Sequence, residues 1–147
     1  MVERFGTDLP DPTGNLTRLF PSPQSLCLAD GEELGQLGIV RQRRRAIQAL
    51  AQAVAHNGLV LQPGVDIAQT LEALQALPGI GPWTAQYIAM RALRWPDAFV
   101  AGDVALHKAL GVPTGSNPRQ AALDVEAASQ RWKPWRSYAV MRAWARL

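Results

Sequence analysis

Apolar positions recur at three- and four-residue spacing along most of the chain, which is the period of an α-helix. From Arg41 to His56, Ile47, Leu50, Ala51 and Val54 fall on one face, and Asn57-Gly58 supplies the stop. Ser22-Pro23 reads as an N-cap followed by a first-turn proline, and Asn117-Pro118 repeats it before Ala121, Ala122, Val125 and Ala128. Asp30 with Glu33 has capping-box spacing and opens a short helix ending near Gly38. Asp66 is placed to cap a helix carrying Leu71, Leu74 and Leu77. Pro78-Gly79-Ile80-Gly81-Pro82 breaks that helix, and another runs from Trp83 to about Leu93 with Pro82 first. Asp103 precedes a short helix with Leu106 and Leu110, Pro113 to Ser116 is read as a loop, and Pro134 opens a last helix from Trp135 to Leu147. Leu59 to Pro63 reads as a short extended stretch. No alternating strand set stands out. The pattern predicts an all-α fold, a compact array of short helices in a single domain over residues 1–147.

Composition bounds the rest. With 48% hydrophobic and 18% charged residues the chain should fold. One cysteine, Cys27, excludes a disulfide framework and a cysteine-based metal centre. His56 and His107 have no metal-ligand spacing; His56 reads as a helix C-terminal residue, His107 as a surface residue and Cys27 as buried. No apolar run is long enough to span a membrane, and none suggests a membrane partner. Charge is unevenly spread. Residues 1–81 hold six basic and eight acidic groups, net −2, whereas residues 82–147 hold nine and four, net +5. All five tryptophans also lie in the second part. A basic, aromatic half suits a nucleic-acid reader; a GC-rich genome and a tryptophan-rich core would give the same composition. Arg41, Arg43, Arg44 and Arg45 open their helix against its dipole and read as a solvated face.

The sharpest motif is Leu77-Pro78-Gly79-Ile80-Gly81-Pro82-Trp83-Thr84-Ala85. Two helices are joined by a turn so short that it must be a tight hairpin. Glycines permit positive φ and close approach, and the free N–H groups that open the second helix are suited to one phosphate. Gly79, Gly81 and Thr84 are the candidates for that contact; a turn with no ligand is the alternative.

This string resembles the helix-hairpin-helix of the DNA-repair glycosylase superfamily. Asp103 lies 20 residues beyond Trp83, a spacing similar to that of the superfamily's aspartate. Leu16-Thr17-Arg18-Leu19-Phe20-Pro21-Ser22-Pro23 and Arg131-Trp132-Lys133-Pro134-Trp135-Arg136-Ser137-Tyr138-Ala139 also look similar to the 3-methyladenine DNA glycosylase II family, whose function is alkylation repair. The resemblance implies that Asp103 stabilises an oxocarbenium-like sugar, while capping its helix is its ordinary alternative. It implies that Trp83, Tyr87 and Trp144 line a base pocket, with core packing open for Tyr87 and Trp144; Trp132 and Trp135 are read as core. An alkylated purine is cationic, so indole faces suit it. Strand-cleaving members of the superfamily carry a lysine where Trp83 stands, so the resemblance implies monofunctional hydrolysis. It further implies a monovalent cation on the backbone carbonyls of Gln75, Leu77 and Ile80, no other cofactor, and damaged duplex DNA as partner. A monomer in the bacterial cytoplasm, working at the nucleoid, is the expected setting.

In that family the domain begins earlier, with helices bearing the residue wedged into the DNA stack. Residues 1–147 are therefore expected to be N-terminally incomplete, with weak or absent excision on their own and DNA binding at low salt partly retained. Three functions stand at this point: an excision enzyme, a hairpin module that binds DNA without catalysis, and a structural fragment.

Overall fold

The computed structural model describes residues 1–113, 115 and 117–147, so Thr114 and Ser116 of the expected Pro113–Ser116 loop lie outside the described residues. Helices dominate: α1 Val2–Phe5, α2 Pro23–Leu28, α3 Gly31–Gln36, α4 Arg41–Ala55, α5 Ile67–Gln75, α6 Pro82–Arg91, α7 Val104–Ala109, α8 Pro118–Ser129 and α9 Arg136–Trp144, with a 3₁₀ turn at Gln130–Trp132 before α9. One antiparallel hairpin, β1 Asp8–Thr13 with β2 Leu16–Arg18, departs from the all-helical expectation. Pro10 and Pro12 argue against a strand, but a two-stranded ribbon has only edges and tolerates them. Leu59 to Pro63 joins no sheet. Among the described residues no helix is long and apolar enough to cross a membrane.

The chain divides into two compact units, Met1–Val60 with Ala76–Gly79, and Leu61–Gln75 with Ile80–Leu147. In the first, α2 and α3 pack on α4 around Leu26, Ala29, Leu34, Ala51 and Leu59. Ser22 accepts from the Ser25 N–H, and Asp30 and Glu33 form the reciprocal box. Arg44 departs from the expected solvated face. Its Nη1 donates to Gly31 O at 2.6 Å and to Glu32 at 3.3 Å, because a guanidinium at a helix N-terminus gains by reaching carbonyls and carboxylates of its neighbour. A Cβ on Gly35 would stand 2.6 Å from that guanidinium, so the glycine makes its room. Arg41, Arg43 and Arg45 are exposed as expected. Cys27 is half-buried where a buried thiol was expected.

The second unit is built on Ala89, Met90, Leu93, Ala98, Phe99, Val100, Leu106, Val125, Val140 and Ala143. Asp66 accepts from the Gln69 N–H at 2.9 Å, and α5 ends at Gln75, two residues short of Leu77. Asn117 caps α8 through Arg119 and Gln120. The last helix starts later than expected. Lys133-Pro134 is a cis bond, Trp135 is the N-cap, and α9 begins at Arg136. Trp132 packs against the core, but Trp135 is 58% exposed and meets Tyr138 edge-on, so its expected core role fails: it sits at the cap, outside the helix face that turns inward.

One buried ion pair anchors this unit. Arg136 Nε and Nη2 donate to the two Asp97 oxygens at 2.8 Å each, and Nη1 donates to Glu126 at 2.9 Å. The hydrogen bond from Arg136 holds the Asp97 carboxyl below its ordinary value against the opposing cost of burial. A carboxylate depressed in the folded state stabilises fully above its unfolded value, about 3.9, and that gain is lost as pH falls through the lower folded value. Asp97→Asn should therefore lower stability at pH 7 by about 3 kcal/mol. The gap from wild type should shrink as denaturation curves are taken from about pH 4 downward. A gap independent of pH would show that the charge of Asp97 is not what stabilises.

Candidate functional site

Asp103 sits in the second unit at the N-cap of α7, where Oδ1 accepts from the Leu106 N–H at 2.6 Å. The capping role read from the sequence is therefore present. The cap fixes the carboxylate, and two indoles converge on what remains. Trp144 Nε1 donates to Oδ1 at 2.9 Å, and Trp83 Nε1 donates to Oδ2 at 3.0 Å. A carboxylate offers about four lone-pair directions. Three are taken, two on Oδ1 and one on Oδ2, so the open direction is on Oδ2.

Three aromatic side chains come together here, two of them placed on one helix face by their spacing. Trp83 and Tyr87, one turn apart on α6, stack with centroids 5.2 Å apart and planes 8° from parallel. Tyr87 meets Trp144 of α9 at 6.2 Å, tilted by 46°. Tyr87 and Trp144 also pack on the core, as the core reading expected. Trp83 remains 41% exposed. The site is thus a fixed anionic group walled by electron-rich rings.

The hairpin residues divide between the two units, and each is described in its own. Gly79, in the first, has φ +80°, and a Cβ there would meet Ala46 Cβ at 2.9 Å. Gly81, in the second, is the N-cap of α6 with extended backbone, and no atom lies within 4 Å of where a Cβ would stand. No side chain caps α6, and Pro82 has no N–H, so the Trp83 and Thr84 amides at its first turn lack intrahelical partners. Gln75 ends α5, Ile80 is buried in the second unit and Leu77 is half-buried in the first. Residues 75–81 carry no charged side chain. Among the described residues no cluster of three or more His, Cys, Asp or Glu could hold a metal.

His56 caps α4, as read from the sequence. His107 is half-buried, its Nε2 2.5 Å from Ala101 O, and so supports the turn before Asp103 where a surface position was expected. Sequence reasoning assigned no role to Gln86, Asp97, Arg136 or Ser137. Gln86 accepts from the Phe99 N–H at 3.1 Å, and Ser137 Oγ donates to Trp95 O at 2.7 Å and lies 3.1 Å from Ala98 O. One clue to Arg136 was available. An arginine in the first turn of a helix opposes the dipole and needs carboxylates from elsewhere.

The family model described as HhH-GPD superfamily base excision DNA repair protein matches residues 1–135. A probable bifunctional transcriptional activator/DNA repair enzyme AlkA of Mycobacterium tuberculosis is 43% identical over the whole chain, which covers 28% of that protein. The DNA-3-methyladenine glycosylase 2 of Escherichia coli is 37% identical over 125 residues, 85% of this chain and 42% of that protein. The fold matches the 3-methyladenine DNA glycosylase Mag1 of Schizosaccharomyces pombe, solved with abasic DNA, at TM-score 0.70 and 20% identity, over 90% of this chain and 65% of that one. The chain thus spans less than half the length of these two curated relatives. With the family's pattern matched over nearly the entire sequence, the chain belongs to the HhH-GPD superfamily of base excision DNA repair proteins.

Proposed function

We propose that this chain carries the excision centre of a monofunctional DNA glycosylase, hydrolysing the N-glycosidic bond of alkylated purines of the 3-methyladenine type in duplex DNA. The observation that carries the reading is the Asp103 carboxylate, capped and held by two indole N–H groups beside a stacked aromatic pair. As the C1′–N bond breaks, its electron pair leaves with the base. A purine alkylated on a ring nitrogen is already cationic and so departs neutral. Positive charge then grows on the sugar, where the fixed carboxylate opposes it. Water forms the new C1′–O bond and gives up its proton towards the open side of Oδ2. The exposed Trp83 face supplies stacking and cation–π attraction for the cationic base.

Binding precedes this chemistry. The free amides at the α6 N-terminus suit one DNA phosphate, with Gly81 and Thr84 at the contact and Gly79 shaping the turn. A monomer working at the nucleoid of a bacterial cytoplasm is the setting that goes with this reading.

The test is incubation with methylated duplex DNA, following free base and strand integrity. Free alkylated purine should be released, leaving an intact strand with an abasic site, and borohydride should trap no covalent complex. A trapped complex would mean that an amine attacks the sugar. Retained DNA binding with no base released would favour the non-catalytic hairpin module.

A further inference from the structure

We propose that the Asp97–Arg136 pair, assisted by Ser137, is the positioning device that seats the Trp144 indole on the Asp103 carboxylate. This rests on the excision centre proposed above and assigns a role to groups about one helix length away from it.

The argument starts from α9. Its last residue, Trp144, is one of the two indole donors to Asp103. Between Arg136 and Trp144 lie eight helical steps, about 12 Å of rise. Along that length α9 contributes Val140 and Ala143 to the core. Such contacts are non-directional, and a helix held by them alone can turn about its axis. Directional attachments prevent this: besides a long contact from Arg91 Nη1 to the Met141 sulfur at 3.9 Å, the two short ones upstream of Trp144 both lie in the first turn. Arg136 grips Asp97 with two parallel N–H···O bonds and Glu126 with a third. Ser137 donates to Trp95 O, and its backbone N–H donates to Pro96 O. Ser137, Val140 and Trp144 recur at i, i+3 and i+7, so fixing Ser137 fixes the direction in which Trp144 leaves the helix.

The segment that receives these bonds, Trp95 to Val100, is the frame for the rest of the site. The Phe99 N–H is bonded to Gln86 of α6, the helix that carries Trp83 and Tyr87. The Asp103 N–H is bonded to Val100 O. The carboxylate and both indole donors thus refer to one stretch of backbone, and Arg136 is the fork that ties α9 to it. The Arg136 guanidinium also lies 5.7 Å from the Phe99 ring centroid, which leaves it little freedom to re-aim. All these groups are in the second unit.

The test reads the Trp144 indole N–H directly. Two-dimensional nitrogen–proton spectra of the full chain resolve five indole signals, and Trp144→Phe identifies one of them. In Arg136→Lys, which keeps the charge but not the fork, and in Asp97→Asn, the Trp144 signal should move towards the free-indole position. Its exchange with solvent should rise by about tenfold or more, the loss of one charge-assisted hydrogen bond, while the Trp83 signal and the amide dispersion hold. Arg136→Gln should move it further than Arg136→Lys. A folded Arg136→Lys or Asp97→Asn protein with an unmoved Trp144 signal overturns the proposal. Should both fail to fold, Ser137→Ala removes one hydroxyl and decides on the same readout. Excision assays on the same proteins keep the two ideas apart. A wild-type chain that releases no base would sink the excision reading and leave the spectral result to stand or fall alone.

Discussion

Asp103→Asn should lower single-turnover excision of methylated purines by roughly two orders of magnitude or more, while DNA affinity stays within a few-fold. The structure sharpens why. Asparagine keeps one carbonyl oxygen, and that oxygen can still accept from the Leu106 N–H and cap α7. Its amide nitrogen cannot accept from an indole, so one of the Trp83 and Trp144 contacts must be lost. The negative charge facing the sugar is lost with it. Stability should fall by about 1 kcal/mol, the scale of one hydrogen bond. Affinity for DNA can even rise, because a carboxylate beside phosphates repels them. Base release and DNA binding are measured on the same preparations. Wild-type excision rates in the asparagine variant would remove Asp103 from the chemistry. Loss of folding together with binding would reduce it to its cap.

That prediction draws on a site that was legible in the sequence to an uneven degree. Trp83 and Tyr87 could be set on one helix face because they are one turn apart, and Asp103 stood out because its interval resembles the superfamily's; the structure shows the two rings stacked and the aspartate capping its helix. The union of Trp144 with Asp103 could not be derived from local pattern. The two are 41 residues apart, and their meeting depends on how α9 lies against α7, a tertiary fact. Helix starts were the most readable part. Ser22, Asp30, Asp66, Asp103 and Asn117 each accept the amide bonds expected of a cap, because capping is a local contest between a short side chain and the next turn. The misses have equally local reasons. Two prolines disguise β1, and a proline at 134 advertises a helix that starts two residues later. Charged residues are misread when their partners are distant. Arg44 finds Gly31 and Glu32, and Arg136 finds Asp97 across 39 positions. Periodicity reports which face of a helix is apolar, and it carries no information on which cation has a carboxylate waiting.

Gly79→Ala and Gly81→Ala should fail in different ways, although the sequence presents the two glycines as equivalents. Gly79 has φ +80°, in the left-handed region, where a side chain costs about 1–2 kcal/mol. Its Cβ would also stand 2.9 Å from Ala46 Cβ, so α4 or the turn must shift. Alanine at 79 should therefore lower the thermal midpoint by several degrees and weaken DNA binding through the distorted turn. Gly81 lies at φ −91° and ψ 177°, extended backbone that any residue adopts, and no atom lies within 4 Å of the position a Cβ would take. Alanine there should leave stability within about 0.5 kcal/mol of wild type. Its cost appears only when something must approach the amides of Trp83 and Thr84 closely. If that ligand is a phosphate, affinity should drop by about tenfold, the loss of one charge-assisted hydrogen bond. The drop should be the same on every DNA sequence, since phosphate contacts carry no base information. Binding by both proteins should weaken steeply with salt. Fluorescence anisotropy on duplexes of unrelated sequence, paired with thermal melts, separates the cases. A Gly81→Ala protein that melts and binds like wild type would show that no phosphate comes against this turn, and a loss confined to particular sequences would show that the hairpin reads bases instead.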